Sequence, residues 1–172
     1  MPLPASVAFA PAFAETDRMV EGIARWARLE SPTNAPDRVD AMLDLAAQDA
    51  SDAAIEIERI PGRDGLGGML LLRAGPRTDE KSILVLSHLD TVHPVGTEQR
   101  DLPVRVEGDR LYGPGVYDMK GGAFLALEAF KAVARAGTAK RPLVFLFTPD
   151  EEIVSPTSRE PIEALARRAA YT

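Results

Sequence analysis

The chain is 172 residues long, 45% hydrophobic and 27% charged, a composition that supports one globular domain and argues against a disordered tail. It has no cysteine, which excludes disulfides and thiolate metal sites and leaves His, Asp and Glu as the available metal ligands. Twenty basic residues against 26 acidic ones give a net charge of -6 with the Lys and Arg scattered, a pattern unsuited to nucleic acid, and no apolar run approaches the roughly 18 residues of a membrane span.

Residues 1–14, MPLPASVAFAPAFA, are apolar but carry no basic residue and are interrupted by Pro2, Pro4 and Pro11. They read as a loose leader rather than a signal peptide, which implies a cytoplasmic location. Over residues 15–30, Val20, Ile23 and Ala27 recur at helical spacing with Met19 and Trp26 beside them, and the Pro32 and Pro36 segment ends that amphipathic helix. A second helix is expected over residues 37–50, with Val39, Met42, Leu43 and Ala46 on its apolar stripe. Three strands follow, over residues 54–60, 69–73 and 82–87, separated by Pro61-Gly62 and Gly75-Pro76 turns. The run Ile83-Leu84-Val85-Leu86 is continuously apolar, as in a strand covered on both faces.

Residues 103–112 read as a small hairpin around Glu107-Gly108-Asp109, and residues 121–135 as a helix with Leu125, Phe130 and Val133 among its buried side chains. Leu143 to Phe147 form another wholly apolar strand. Thr157-Ser158-Arg159-Glu160 has the form of a capping box opening a last helix that runs to about residue 169, where a further strand is due. Helices alternating with buried strands specify a layered α/β fold.

Polar residues of one kind follow both apolar strands: Ser87-His88-Leu89-Asp90 after one, Thr148-Pro149-Asp150-Glu151-Glu152 after the other. In open α/β sheets ligands bind beyond the carboxyl ends of the strands. His88 and Asp90, two apart in an extended segment, fit either a metal-binding imidazole with its carboxylate partner or a strand-end turn. Asp118, in G-P-G-V-Y-D-M-K-G-G ahead of a helix, fits a ligand or a plain helix cap, and the glycine spacing departs from the nucleotide-binding pattern. Asp150-Glu151-Glu152 fits a solvated loop, or carboxylates crowded around cations with one Glu as ligand and its neighbour as base.

Taken together, S-H-L-D-T-V at 87–92, Y-G-P-G through D-M-K-G-G at 112–122, and T-P-D-E-E with S-P-T-S-R at 148–159 resemble the co-catalytic zinc peptidases of the glutamate carboxypeptidase, acetylornithine deacetylase and succinyl-diaminopimelate desuccinylase family. The S-P-T-S-R run leans towards the glutamate carboxypeptidase branch. The resemblance implies an α/β/α catalytic domain whose N-terminal portion is residues 15–172, and two zinc ions, with cobalt or manganese as alternatives. It implies that His88 and Glu152 each bind one metal, Asp118 bridges both, Asp90 orients His88, Glu151 is the general base, and the Asp118–Met119 peptide is cis. The implied reaction is metal-assisted hydrolysis of a small amide, an N-acyl amino acid or peptide, by a protein whose relatives are often homodimers.

Two departures matter. Val154 stands where the family often has Gly, so a positive φ there would strain a β-branched residue. The family's further acidic ligand, its final His, the smaller dimerisation domain and the last strands find no counterpart in these residues. The sequence therefore also admits a truncated, catalytically inactive remnant or interaction module.

Overall fold

The computed structural model describes residues 15–52 and 54–172, and the leader expected over residues 1–14 lies outside the described residues. Two helices come first, α1 (Thr16–Arg28) and α2 (Pro36–Ala50), followed by strands β1 (Glu56–Ile60), β2 (Met69–Ala74) and β3 (Ser82–His88). A short helix α3 (Thr97–Arg100) and a separate hairpin of β4 (Arg105–Glu107) and β5 (Arg110–Tyr112) precede helix α4 (Gly121–Ala136). Strand β6 (Leu143–Thr148), helix α5 (Arg159–Arg167) and strand β7 (Ala169–Tyr171) complete the order.

The main sheet runs β1-β2-β6-β3-β7; β2 pairs antiparallel with both neighbours, while β3 pairs parallel with β6 and β7. The expected layered α/β fold is present. Alternate residues of β2 and β6 serve opposite layers, as the two-residue period of a strand requires. Leu70, Leu72, Phe145 and Phe147 face the core beneath α1, α2 and α4, whereas Met69, Leu71, Val144 and Leu146 face a smaller cluster with Ile162 and Leu165 of α5. The α2 stripe is as read from the sequence, with Val39, Met42, Leu43 and Ala46 all fully buried.

Several local expectations are corrected. In α1 the buried side chains are Met19, Ala24, Trp26 and Ala27, while Val20 and Ile23 are only half-buried. In α4 the inward face carries Phe124, Leu127 and Phe130; Leu125 is exposed and Val133 half-buried. Both shifts have one cause. Gly22 leaves room for the Phe124 ring, which a Cβ there would meet at 2.1 Å, and Trp26 packs edge-on against that ring with centroids 5.2 Å apart. This contact sets the rotation of both helices. Ile83 is 37% exposed, so β3 is not covered on both faces along its whole length; its start borders the three-residue β7 at the sheet edge. The last helix stops at Arg167, and residues 169–171 already pair with β3 as a strand.

Among the described residues no helix is long and apolar enough to cross a membrane.

Candidate metal centre

The register of β3 against β6 sets the site. His88 lies opposite Thr148, and the Leu89 amide donates to the Thr148 carbonyl at 3.0 Å, so the residues leaving the two strands start side by side. A third segment reaches them from the wide turn of residues 116–120 that opens α4. Gly115 lets this turn approach, since its φ is +68° and a Cβ there would lie 2.6 Å from Thr91 Cγ2. The Asp118–Met119 peptide within the turn is cis. Lys120, fully buried, donates from Nζ to the carbonyls of Leu29 at 2.6 Å and Trp26 at 3.2 Å, tying the turn to the end of α1. Burial pushes the Lys120 ammonium down to about 7 despite the opposing pull of Glu30.

These three segments bring His88, Asp118 and Glu152 together, with one potential ligand atom from each lying within 4.8 Å of the others. His88 Nε2 is 3.0 Å from Asp118 Oδ1 and 3.7 Å from Glu151 Oε2. Its Nδ1 sits 3.1 Å from the backbone carbonyl of Asp90 and 3.3 Å from the Asp90 carboxylate. A carbonyl oxygen only accepts, so Nδ1 carries the proton, and the lone pair of the neutral ring falls on Nε2, facing the carboxylates. Burial works against the imidazolium, but the Asp90 and Asp118 carboxylates outweigh it and raise His88 to about 9.

Asp90 is fully buried and does more than face His88. Its carboxylate accepts from the Thr33 hydroxyl at 2.7 Å and from the amides of Glu151 and Glu152 at 3.2 and 3.3 Å. It thereby pins the turn after β6 to the strand end of β3. Glu152 is raised above the usual carboxylate range, first by burial and then by Asp118, Asp90 and Glu151, with His88 opposing.

Val154 ends that turn with φ +71° and ψ +32°, the left-handed conformation in which a β-branched side chain is strained. Its side chain is 74% exposed and contributes little packing to offset the strain. Replacing Val154 with Gly is therefore expected to raise stability by about 1 kcal/mol, or roughly 2–4 °C in Tm. An unchanged or lowered Tm would contradict this account of the turn.

The capping box expected at 157–160 is not formed. Ser158 is the N-cap of α5 but makes no side-chain bond to that helix. The Thr157 and Ser158 hydroxyls donate instead to the buried Asp150 carboxylate, which also accepts both backbone amides. Local spacing gave no hint of this competition. Thr33 and Lys120 carry no signal in the sequence, because their partners lie 57 and 94 residues away along the chain.

Charge makes the cluster unusual. Asp90, Asp118, Glu151 and Glu152 gather around one imidazole, and among the described residues no Lys or Arg comes within ion-pair distance of any of them. Like charges this close are costly unless cations balance them. Two divalent cations would supply four positive charges, and the donors present, carboxylate oxygen and a free imidazole Nε2, are those zinc and similar ions accept. The residues fit such a group.

Comparison with known proteins points the same way. The sequence pattern of peptidase family M20/M25/M40 matches residues 84–171. Carboxypeptidase G2 of Pseudomonas sp. (strain RS-16) is 38% identical over 109 residues, which make up 63% of this chain and 25% of that protein. Succinyl-diaminopimelate desuccinylase of Gluconobacter oxydans (strain 621H) is 39% identical over 83 residues, 47% of this chain and 22% of that protein. The chain thus spans about a quarter of the length of these curated relatives. Among solved structures, human carnosine dipeptidase 1 superposes with a TM-score of 0.71 at 20% identity, over 91% of this chain and 37% of that one. The metallo-carboxypeptidase Sso-CP2 from Sulfolobus solfataricus does so with a TM-score of 0.70 at 16% identity, over 90% and 36%.

Proposed function

The chain belongs to peptidase family M20/M25/M40, and from that premise we propose that its His88, Asp118 and Glu152 hold a pair of divalent cations, zinc foremost, for hydrolysis of a small amide. The substrate class is a peptide losing its C-terminal residue, or an N-acyl amino acid. The observation carrying this reading is the convergence of those three donors within 4.8 Å, with His88 Nδ1 already committed to Asp90.

In this reading Asp118 would be the ligand common to both cations, while His88 and Glu152 would serve one each. When bound, such a pair supplies Lewis acidity for the scissile carbonyl and makes water acidic enough to attack near neutral pH. Asp90 holds the His88 ring and its tautomer. Glu151, whose Oε2 is 3.7 Å from His88 Nε2, has neither a ligand role nor the ring-orienting role of Asp90, and its side chain is 57% exposed. It takes the proton released as water oxygen bonds to the amide carbon, and returns it to the nitrogen as the carbon–nitrogen bond breaks, so that the products are a carboxylic acid and an amine.

Three protein donors shared by two cations fall short of the three ligands per ion usual at catalytic zinc. That shortfall favours a second reading, in which this chain holds metal weakly and serves as an inactive interaction module. Loading the purified protein with zinc, measuring metal content and assaying N-acyl amino acids and dipeptides separates the two. Close to two ions per chain with turnover supports the first reading; below about 0.2 ions per chain overturns it.

Proton competition gives a further check. Because the His88 imidazole is raised to about 9 in the metal-free protein, binding must expel its proton throughout the neutral range. Metal affinity is expected to rise about tenfold per pH unit between pH 6 and 8, measured by competition with a chelator of known pH dependence. The metal-free protein should show the opposite trend. A group raised above its unfolded value of 6.5 stabilises the fold fully below that pH, and this contribution is lost as pH rises through about 9. A metal affinity that does not change with pH would contradict the assignment of His88 as a ligand.

A further inference from the structure

We propose that Asp150 is a positioning residue of this centre: by closing residues 150–158 into a loop, its carboxylate sets the direction in which Glu151 and Glu152 leave β6. The metal half of this assignment rests on the function proposed above, while the loop half stands on geometry alone.

Asp150 is fully buried, and its carboxylate has no cationic partner among the described residues. Oδ2 accepts from the Thr157 hydroxyl and amide, both at 2.6 Å, and from the Ser158 amide at 3.2 Å, while Oδ1 accepts from the Ser158 hydroxyl. Its backbone carbonyl accepts from the Ser155 amide at 2.8 Å. A buried carboxylate is tolerable only when donors replace its lost hydration, and four donors from two adjacent residues do so here. All of them come from the far end of the loop. The intervening segment must therefore turn back on itself within a few residues, which agrees with the left-handed conformations of Val154 and Ser155. Arg63 fastens the same end from outside, donating to the Thr157 carbonyl at 2.9 Å.

The near end of the loop is fixed by Asp90, which accepts the Glu151 and Glu152 amides. Those two bonds are long, 3.2 and 3.3 Å, so Asp90 alone holds the turn loosely, and the short bonds at Asp150 supply the second anchor. The base and the ligand are adjacent in sequence and must point differently, so a small rotation of the turn would move both. Asp150 touches neither substrate nor cation and acts only through the turn.

The rival role for Asp150 is merely to support the start of α5, since it accepts the amide of Ser158, the N-cap of that helix. Amide hydrogen exchange on the metal-free protein separates the two. Asp150→Asn keeps the side-chain size but offers one acceptor oxygen where four donors converge. Exchange at the Glu151, Glu152 and Ser155 amides is expected to quicken at least tenfold, with Phe145 and Leu146 unchanged. Acceleration confined to α5, or spread evenly over the fold, would overturn the proposal. Should that variant fail to fold, the pair Thr157→Val with Ser158→Ala removes both hydroxyl donors and keeps the carboxylate. It is expected to quicken the same three amides, and unchanged protection there would again overturn the proposal.

Titration with cobalt(II), followed by its visible absorption, reads the consequence at the centre. The wild-type protein is expected to bind two equivalents. In Asp150→Asn the first should bind as before and the second at least tenfold more weakly, since Glu152 leaves from the turn and His88 does not. Two unchanged equivalents would overturn the positioning role. A wild-type protein that takes up no cobalt would overturn the metal-centre reading instead, and the exchange measurement would still decide the role of Asp150 in the turn.

Discussion

Replacing Glu151 with Gln is expected to lower kcat by about 100- to 10,000-fold while leaving metal content and KM close to wild type. Gln has the same shape as Glu and cannot take up a proton at neutral pH. The Glu151 side chain is 57% exposed, and the bond that fixes its position is made by its backbone amide to Asp90, so the substitution leaves the turn intact. A loss confined to kcat would identify an interaction made only in the transition state. Glu151→Asp, which keeps the proton acceptor but withdraws it by one methylene, should fall between the two. If Gln costs less than tenfold, Glu151 is not the base; if zinc is lost along with activity, it serves instead as a ligand.

Much of this arrangement is legible in sequence because strand ends announce themselves. Two short, wholly apolar runs, each followed at once by polar residues, place His88 and Glu152 at neighbouring carboxyl ends once the runs are taken as adjacent parallel strands, and β3 and β6 are paired in that way. The stripe of α2 is legible for a similar reason: one helix face meets one sheet, and Val39, Met42, Leu43 and Ala46 have no competing environment. Periodicity fails where a single distant contact outweighs it. Leu125 and Phe124 are equally plausible core residues by spacing, and only the gap left by Gly22 on another helix selects Phe124.

Polar side chains are harder still. Thr157 and Ser158 have the local spacing of a helix cap, yet a buried carboxylate is a stronger acceptor and takes their hydroxyls away. Thr33 and Lys120 reach partners 57 and 94 residues off, a separation at which no spacing rule operates. The first layer of the centre is thus encoded in short motifs, and the layer that holds it in place is encoded in the fold.

Asp118→Asn is expected to weaken both metal sites together, by on the order of 1,000-fold each. Loss of a residue that merely supports a ligand typically costs about 10- to 100-fold in metal affinity, and a carboxylate shared by both ions should exceed that. Asn presents one neutral acceptor oxygen where the cluster uses an anion, so neither ion keeps its common counter-charge. Thermal melts make the test sensitive. At a zinc concentration that saturates the wild type, a 1,000-fold loss of affinity removes up to roughly 4 kcal/mol of metal-induced stabilisation. In chelator the two proteins should melt within about 2 °C of each other, because the Asp118 side chain is 67% exposed and its tie to His88 is offset by the like charges around it. A variant that loses only one ion would show that Asp118 serves a single site, and the pairing of the two cations would have to be assigned to another residue.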